Sequence, residues 1–304
     1  MAAKSAVQVN LEYGVFRFFC GLVNVLPYRL AMALARGLAW LMVKVFRFKQ
    51  ARTRARIRGV FPEKSEREVR AIALGSLQNL LMNVVEMMRA SRLSRKWMDR
   101  RVRDGLLYKE KLQSYVDEGK GVVIMVPHSG NWYMAAWSMA RYGLSLMAIA
   151  ARQRNPKLDA WMNRQYGDIE VLDRDNRDTL KRIREGLLGG RAFAILPDLR
   201  VRKRDVTAEF LGGEANVSRA GAMFAVKCGS PIVVACMSRQ KGKHVFNHLG
   251  TLRPDPSAEP KAEAERLTKE ALKLLDGEVR RRPQEWFWYN KRWILEPVKE
   301  EKQK

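Results

Sequence analysis

The chain has 304 residues, of which 47% are hydrophobic, enough to bury the core of one large domain or two small ones and too many for a disordered protein. Lysine and arginine number 57 against 32 aspartate and glutamate, which gives a formal net charge of +25. This excess favours a polyanionic partner: nucleic acid, an anionic membrane surface or an acidic protein. Charge alone does not choose among them.

The cysteine and histidine positions exclude several kinds of site. The three cysteines and three histidines do not have the spacing of a zinc site, so we expect no bound metal. Each cysteine sits among apolar neighbours, where a free thiol behaves as a small core residue, and no disulfide framework of a secreted fold is present. The chain is therefore expected to be reduced and to face the cytosol.

Residues 15–48 are the most apolar long stretch, but basic residues and a proline interrupt it before any uncharged run reaches the ~20 residues of a spanning helix. It also lacks the pattern of a secretory signal. We expect two helices split near Pro27, followed by the basic segment 47–58. Two interpretations remain open: a helical pair packed on the core, or interfacial helices with a basic flank for anionic headgroups.

The rest of the chain predicts an α/β fold. Ser65 and Glu68 form a capping box, so a long amphipathic helix is expected to run to about Met88. From residue 121 onward, apolar runs alternate with helical patterns, which indicates a mostly parallel sheet covered by helices on both faces. The expected strands are 122–127, 145–150, 168–172, 191–196, 231–237 and 243–249, and the expected helices are 131–142, 156–166, 176–188 and 218–228. Between 196 and 218 we expect a charged loop and then the segment "VTAEF" (206–210).

Two domains follow from this pattern: an N-terminal helical, membrane-associating segment at 1–60 and an α/β domain at 61–304. The clearest linker is 253–260.

Polar residues follow three of the predicted strands, and ligands of open α/β sheets bind at the carboxyl ends of strands. Strand 122–127 is followed by His128, and strand 191–196 by Pro197 and Asp198. Arg152 and Arg154 follow strand 145–150, where a guanidinium suits phosphate or carboxylate. This edge is therefore the predicted site.

Short motifs occur along the chain in a consistent order. The segment "HSGNWY" contains His128, Gly130, Asn131 and Trp132. The others are "RIRGVFPEKSEREVR", the "AR…NP.LD" block with Arg152, Asn155 and Asp159, then Arg164, "ILPD", "FLGGEA", Arg239 and "RRPQEWFWYNKRW". Together they resemble the late acyltransferases of lipid A biosynthesis, bacterial membrane-associated enzymes whose central motif is H-x-G-N-W-E. The family's closing W-x-W-x-H-x-R-W has Asn290 in place of its histidine here.

The resemblance implies a mechanism. In the family the histidine takes the proton of an acceptor hydroxyl as that hydroxyl attacks an acyl thioester, and the acidic residue orients the ring. It implies that His128 is the base, and that substrate is bound by Asn131, Trp132, Arg152, Arg154, Asn155, Arg164 and Arg239.

The acidic position of the motif holds Tyr133. A phenol with a pKa near ~10 supplies no negative charge at neutral pH, and neutralising the aspartate of a serine-protease triad costs ~10⁴ in kcat. Three interpretations follow. Asp198 takes over as the carboxylate, the fold has kept binding and lost catalysis, or Tyr133 and His128 work as a slower pair.

The resemblance favours an acyltransferase that acylates a hydroxyl or an amine at the cytoplasmic face of the bacterial inner membrane. It implies an acyl carrier protein or acyl-coenzyme A donor, a lipid or glycolipid acceptor and no cofactor. The alternative is a non-catalytic lipid-binding or assembly protein on the same fold. A nucleic-acid partner is not expected, because the basic residues are scattered and no recognised binding module is present.

Overall fold

The computed structural model describes residues 5–296, and the outermost residues of the two predicted domains, 1–4 and 297–304, lie outside this range. The first four helices are α1 (Ala6–Val25), α2 (Tyr28–Lys44), α3 (Gln50–Val60) and α4 (Glu66–Met88). The break at Pro27 and the capping box of Ser65 and Glu68 are both confirmed.

The remaining elements largely follow the predicted alternation. In chain order they are α5 (Arg95–Arg101), β1 (Val102–Arg103), α6 (Gly105–Tyr115), β2 (Val122–Met125), α7 (Trp132–Arg141), β3 (Leu146–Ala150), α8 (Pro156–Tyr166), β4 (Glu170–Asp173), α9 (Thr179–Leu188), β5 (Ala192–Ile195), β6 (Val206–Phe210), β7 (Gly213–Val217), α10 (Ala220–Cys228), β8 (Ile232–Gln240), β9 (Lys243–Leu252) and α11 (Pro260–Arg281). Short single turns span Ala90–Arg92, Val116–Lys120 and Pro283–Glu285.

A seven-stranded sheet forms the centre, in the order β1-β9-β8-β2-β5-β3-β4. The five strands from β8 to β4 are mutually parallel, β9 is antiparallel to β8, and β1 is parallel to β9. A separate antiparallel ribbon joins β6 and β7. The prediction of a mostly parallel sheet is confirmed. β2 and β5 lie side by side, so the segments that leave their carboxyl ends are neighbours.

Helices cover both faces of the sheet, as predicted. Along β2, Val123 and Met125 join a core that also contains residues of α3, α4, α9, α10 and α11. The alternate residues Val122 and Ile124 join a second core, formed with α5, α6 and α7. All three cysteines are buried, which agrees with their prediction as core residues.

The N-terminal helices are part of the packed structure on one side only. Ala39 and Val43 of α2 and Ile57 and Val60 of α3 lie in the main core. The domain boundary after residue 60 stays a prediction. The opposite sides of α1 and α2 carry two apolar stripes, whose residues are between 38% and 81% exposed. The stripes consist of Val7, Leu11, Val15, Phe18, Leu22 and Val25 on α1, and of Leu30, Leu34, Leu38 and Leu41 on α2 with Val45 just after it.

Within residues 5–296, α4 is one helix that is long and apolar enough to cross a membrane, by length and composition alone. Its inward face carries Ser76, Asn79, Asn83 and Glu86, all buried and hydrogen-bonded inside the protein. These contacts are those of a core helix.

Several elements were not predicted: β1, α5, α6, β7 and α11. Residues 253–260, predicted as a linker, connect β9 to α11, and α11 packs back into the main core. The segment therefore joins two elements of one core.

Candidate active site

His128 and Asp198 meet at the carboxyl edge of the sheet, because β2 and β5 are adjacent and parallel. The ring Nδ1 of His128 lies 2.7 Å from Oδ1 of Asp198, and the His128 amide donates to Oδ2 at 2.7 Å. The Asp198 side chain is fully buried, whereas that of His128 is 19% exposed. The pair thus has a buried carboxylate and an imidazole that reaches the surface.

The surroundings of Asp198 favour its ionised form. Burial raises the pKa of the carboxyl, but the charge of His128 and hydrogen bonds from His128 and the Trp286 indole (2.8 Å) outweigh it, so the pKa lies below its ordinary value. An ionised carboxylate only accepts hydrogen bonds, so Nδ1 must carry the proton. In the neutral form of the ring, the lone pair is then on Nε2.

The segment after α11 closes one side of the site. The Phe287 amide donates to the His128 carbonyl at 3.0 Å, and Trp286 forms a β-bridge with Ser129. Trp286 and Trp288 are both buried. A shallow depression is lined by His128, Asp198, Leu199, Trp286, Phe287, Asn290, Arg292, Trp293 and Ile294.

The turn after His128 is held from behind. Gly130 has φ +59° and bridges to Met237, whose carbonyl oxygen would lie 1.8 Å from an added Cβ, so only glycine fits. Side-chain amides of Asn79 (2.8 Å) and Asn83 (2.7 Å) donate to the Gly130 carbonyl. Asn131 caps α7 by accepting from the Met134 amide at 2.9 Å.

Glu86 lies at the centre of this support. Its fully buried carboxylate accepts hydrogen bonds from Asn131 (2.5 Å) and Tyr28 (2.5 Å) and pairs with Arg239 (2.5 Å) and His244 (3.0 Å). Burial opposes its ionisation, but Arg239 and His244 more than compensate and hold its pKa well below the ordinary range. The network connects α2, α4, the turn at Asn131 and strands β8 and β9.

Three of the predicted substrate-binding residues are placed differently by the structure. Asn131 and Asn155 are buried, and the Arg239 side chain is only 16% exposed. Asn131 and Arg239 belong to the Glu86 network. Asn155 caps α8 and donates to the Val9 carbonyl at 2.9 Å, which ties α8 to α1. Their polar groups are bonded internally, and their part in substrate binding stays a prediction.

Tyr133 does not pair with His128. It lies on α7, and its ring stacks on Trp137 and packs against Trp132 and Tyr166. Burial raises the pKa of the phenol. Trp132, by contrast, makes an edge contact with the His128 ring, with 5.3 Å between centroids. Tyr133, which follows Trp132 in the motif, is therefore part of an aromatic cluster.

The remaining predicted arginines are exposed. Arg152 pairs with Asp173 at the end of the neighbouring strand β4, at 2.6 Å, and its side chain is 73% exposed. Arg154 lies just before Asn155, the cap of α8. Arg164 lies in the last turn of that helix. Their part in substrate binding stays a prediction.

Sequence reasoning missed three residues at the site. Trp286 binds Asp198, Glu86 holds Asn131, and Arg292 lines the depression. Trp286 and Arg292 both stand in the closing W-x-W motif, which carried a signal. Glu86 lies within an ordinary helical pattern of the sequence. What marks it as unusual is the burial of its carboxylate in the structure.

The chain is similar to known acyltransferases. The chain is 25% identical over 195 residues to the phosphatidylinositol mannoside acyltransferase of Mycolicibacterium smegmatis, an overlap of 62% of this chain and 61% of that relative. The chain thus matches less than two thirds of that protein's length. The profile described as "Bacterial lipid A biosynthesis acyltransferase" matches residues 7–294. The family and the relative both indicate an acyltransferase. The chain belongs to the bacterial lipid A biosynthesis acyltransferase family.

Proposed function

We propose that this protein transfers an acyl chain from a thioester to a hydroxyl of a lipid or glycolipid acceptor, with His128 as general base and Asp198 as its carboxylate partner. The observation that carries the proposal is the 2.7 Å contact between Nδ1 and Oδ1. A buried carboxylate that fixes the tautomer and stabilises the imidazolium is what a histidine base requires.

The reaction follows from the lone pair on Nε2. The acceptor hydroxyl attacks the thioester carbonyl carbon while its proton moves to Nε2 of His128, and a tetrahedral intermediate forms. Collapse of that intermediate breaks the carbon–sulfur bond. The departing sulfur takes the proton from the imidazolium, so an ester and a free thiol result and His128 returns to its starting state.

The start of α7 supplies a place for the negative oxygen of the intermediate. The amides of Trp132 and Tyr133 are in the first turn of α7 and have no partner within the helix. A helix N-terminus also favours negative charge. These amides follow His128 closely in the chain, so we propose that they bind the thioester oxygen.

We also propose that the apolar stripes of α1 and α2 rest on the membrane. Each stripe runs the length of its helix with a spacing of three or four residues and faces away from the protein. Exposed apolar area of this extent marks an interaction surface. Five basic residues on the same helices or just after them would meet anionic headgroups. They are Arg17, Arg29, Arg36, Lys44 and Arg47.

The donor and acceptor are part of the proposal. We infer an acyl carrier protein or acyl-coenzyme A donor and a lipid acceptor at the cytoplasmic face of the inner membrane. The relative's name refers to a glycosylated phosphoinositide. A lipid of that kind is our first choice of acceptor, and a lipid A precursor is the second. The non-catalytic alternative rested on Tyr133, whereas a carboxylate within hydrogen-bond distance of the His128 ring, that of Asp198, supports the catalytic proposal.

The test is acyl transfer by purified protein in anionic liposomes, with palmitoyl-coenzyme A or palmitoyl-carrier protein as donor and phosphatidylinositol mannoside or a lipid A precursor as acceptor. We expect His128→Ala to abolish transfer and Asp198→Asn to lower kcat by about 10²- to 10⁴-fold. Asp117→Asn, at an exposed carboxylate, is the control. No turnover by wild type with any donor, together with unchanged acceptor binding by His128→Ala, contradicts the proposal.

A further inference from the structure

The hinge between α1 and α2 has an outer and an inner side. On the outer side, Leu22, Val25 and Leu30 belong to the apolar stripes and are 45%, 81% and 46% exposed. On the inner side, the side-chain amide of Asn24 donates to the Met88 carbonyl at the end of α4, at 2.8 Å. The two stripes therefore meet at a hinge whose other side is bonded to the protein.

Arg89, the residue after α4, completes this attachment. Its guanidinium donates to the carbonyls of Val23 and Leu26, at the C-terminal end of α1. Carbonyls at a helix end lack partners within the helix, so a positive side chain stabilises that end. Val23 also joins a small apolar cluster with Ala31, Met32, Ala35 and Val85. Polar and apolar contacts together fix the hinge to the C-terminal end of α4.

Tyr28, the first residue of α2, lies at this hinge. Its hydroxyl donates to Oε1 of Glu86 at 2.5 Å. Its ring makes an edge contact with Trp97, with 5.3 Å between centroids, and the Arg101 guanidinium lies 5.3 Å from its centroid. Burial and the charge of Glu86 raise the pKa of the phenol, so the hydroxyl keeps its proton and donates. Both the ring and the hydroxyl of Tyr28 are thus held in place.

The carboxylate that binds Tyr28 also binds the turn after the base. Oε2 of Glu86 accepts from the Asn131 side chain at 2.5 Å. The two oxygens belong to one planar group, so a shift of Oε1 also moves Oε2. We propose that Tyr28 is a positioning residue for acyl transfer, which ties the N-terminal hinge to the turn that carries His128. Its effect on kcat rests on the proposed function. The N-terminal helices then do more than attach the enzyme to a membrane.

Amide hydrogen exchange in the full-length protein tests this link without turnover. The probe is the Asn131 amide, which donates to the Met237 carbonyl at 2.8 Å. The reference is the Val123 amide of β2, which donates to the Pro231 carbonyl at 3.0 Å. Exchange of both amides is followed by NMR in wild type and in Tyr28→Phe. A general loss of stability accelerates both amides, whereas loosening of the turn accelerates only the probe.

The matched control is Tyr115→Phe, which removes a tyrosine hydroxyl that is hydrogen-bonded to Thr251 at 3.0 Å, at the end of α6. In the same three proteins, kcat and KM are measured with hexanoyl-coenzyme A and dihexanoyl phosphatidylinositol mannoside. These short-chain substrates are used in solution without liposomes, so a change in kcat does not come from weaker attachment to a membrane.

In Tyr28→Phe, the Asn131 amide should exchange about tenfold faster relative to the Val123 amide, because Glu86 loses one of the hydrogen bonds that hold it. We expect kcat to fall by about the same factor, with KM unchanged and with normal flotation on anionic liposomes. Tyr115→Phe should change neither the exchange ratio nor kcat.

Two results overturn the proposal. In the first, the ratio of Asn131 to Val123 exchange is the same in Tyr28→Phe as in wild type, which leaves Tyr28 with a general part in stability. In the second, the ratio rises but kcat stays normal. If the ratio rises and wild type transfers no acyl chain, the link between hinge and turn is supported and only the proposed activity fails.

Discussion

The carboxylate of Glu86, in the last turn of α4, accepts a hydrogen bond of 2.5 Å from the side chain of Asn131, three residues after the proposed base. The same carboxylate pairs with Arg239. A charge in the core therefore sets the position of the turn that carries His128.

Glu86→Gln should lower both stability and kcat. The substitution leaves Arg239 with an uncompensated buried charge, which costs about 3 kcal/mol or more, and it weakens the support of the turn. Denaturant unfolding and steady-state kinetics measure the two effects. Glu63→Gln is the control. It changes an exposed carboxylate just before the Ser65 cap of α4 and should alter neither stability nor kcat. Normal stability and normal kcat in Glu86→Gln would refute a positioning role.

Tyr133→Glu restores the family's acidic residue, yet we expect no gain in activity. Asp198 already occupies the Nδ1 side of the ring, and the new carboxylate would be buried among Trp132, Trp137 and Tyr166, at a cost of about 2 kcal/mol or more. Tyr133→Phe is the matched variant and should stay within about twofold of wild-type kcat, because the hydrogen-bond partner of the His128 ring is Asp198. A faster Tyr133→Glu enzyme, or an inactive Tyr133→Phe enzyme, contradicts this assignment.

Glu285→Gln should stabilise the protein at pH 8 and have little effect at pH 4. Burial raises the pKa of Glu285 to about 7, from the ordinary 4.5. Between these values the folded protein keeps a proton that the unfolded chain has lost, so stability falls as pH rises. A neutral side chain removes this penalty of on the order of 3 kcal/mol. Melting temperatures across pH 4 to 8 measure it. If the difference in melting temperature between wild type and Glu285→Gln is the same at pH 4 and pH 8, the raised pKa of Glu285 is contradicted.

The apolar stripes can be tested by substitution. Removing residues 1–58 would also remove Ala39, Val43 and Ile57 from the core, so point variants are cleaner. The double variant Phe18→Ser and Leu22→Ser should reduce flotation with anionic liposomes about tenfold or more, because two exposed apolar side chains no longer enter the lipid. Its melting temperature should not change.

The matched control for the stripes replaces two exposed leucines on other helices, Leu107→Ser with Leu180→Ser. Equal loss of flotation in this control would show that the stripes have no special part in membrane binding.

The sequence predicted the two strand ends that carry His128 and Asp198, because apolar runs and the polar residues after them are local patterns. It left their contact as one of three interpretations, since the adjacency of β2 and β5 depends on strand order, which no local pattern encodes. Tyr133 illustrates the reverse. The motif assigns it to the catalytic position by spacing, whereas its direction on α7 is set by packing against Trp137 and Tyr166. Arg239 was likewise matched by motif, but its buried partner Glu86 lies 153 residues away in the chain.

The turn at Ser129 and Gly130 is bridged on one side to Trp286 and on the other to Met237. A loop that is hydrogen-bonded along both edges is already ordered when the protein has folded. Substrate binding therefore does not have to order it. No part of the free energy of substrate binding is needed to bring His128 into position. Local unfolding of this turn requires breaking contacts with two distant parts of the chain together, and its backbone amides should exchange with solvent as slowly as those of the central strands.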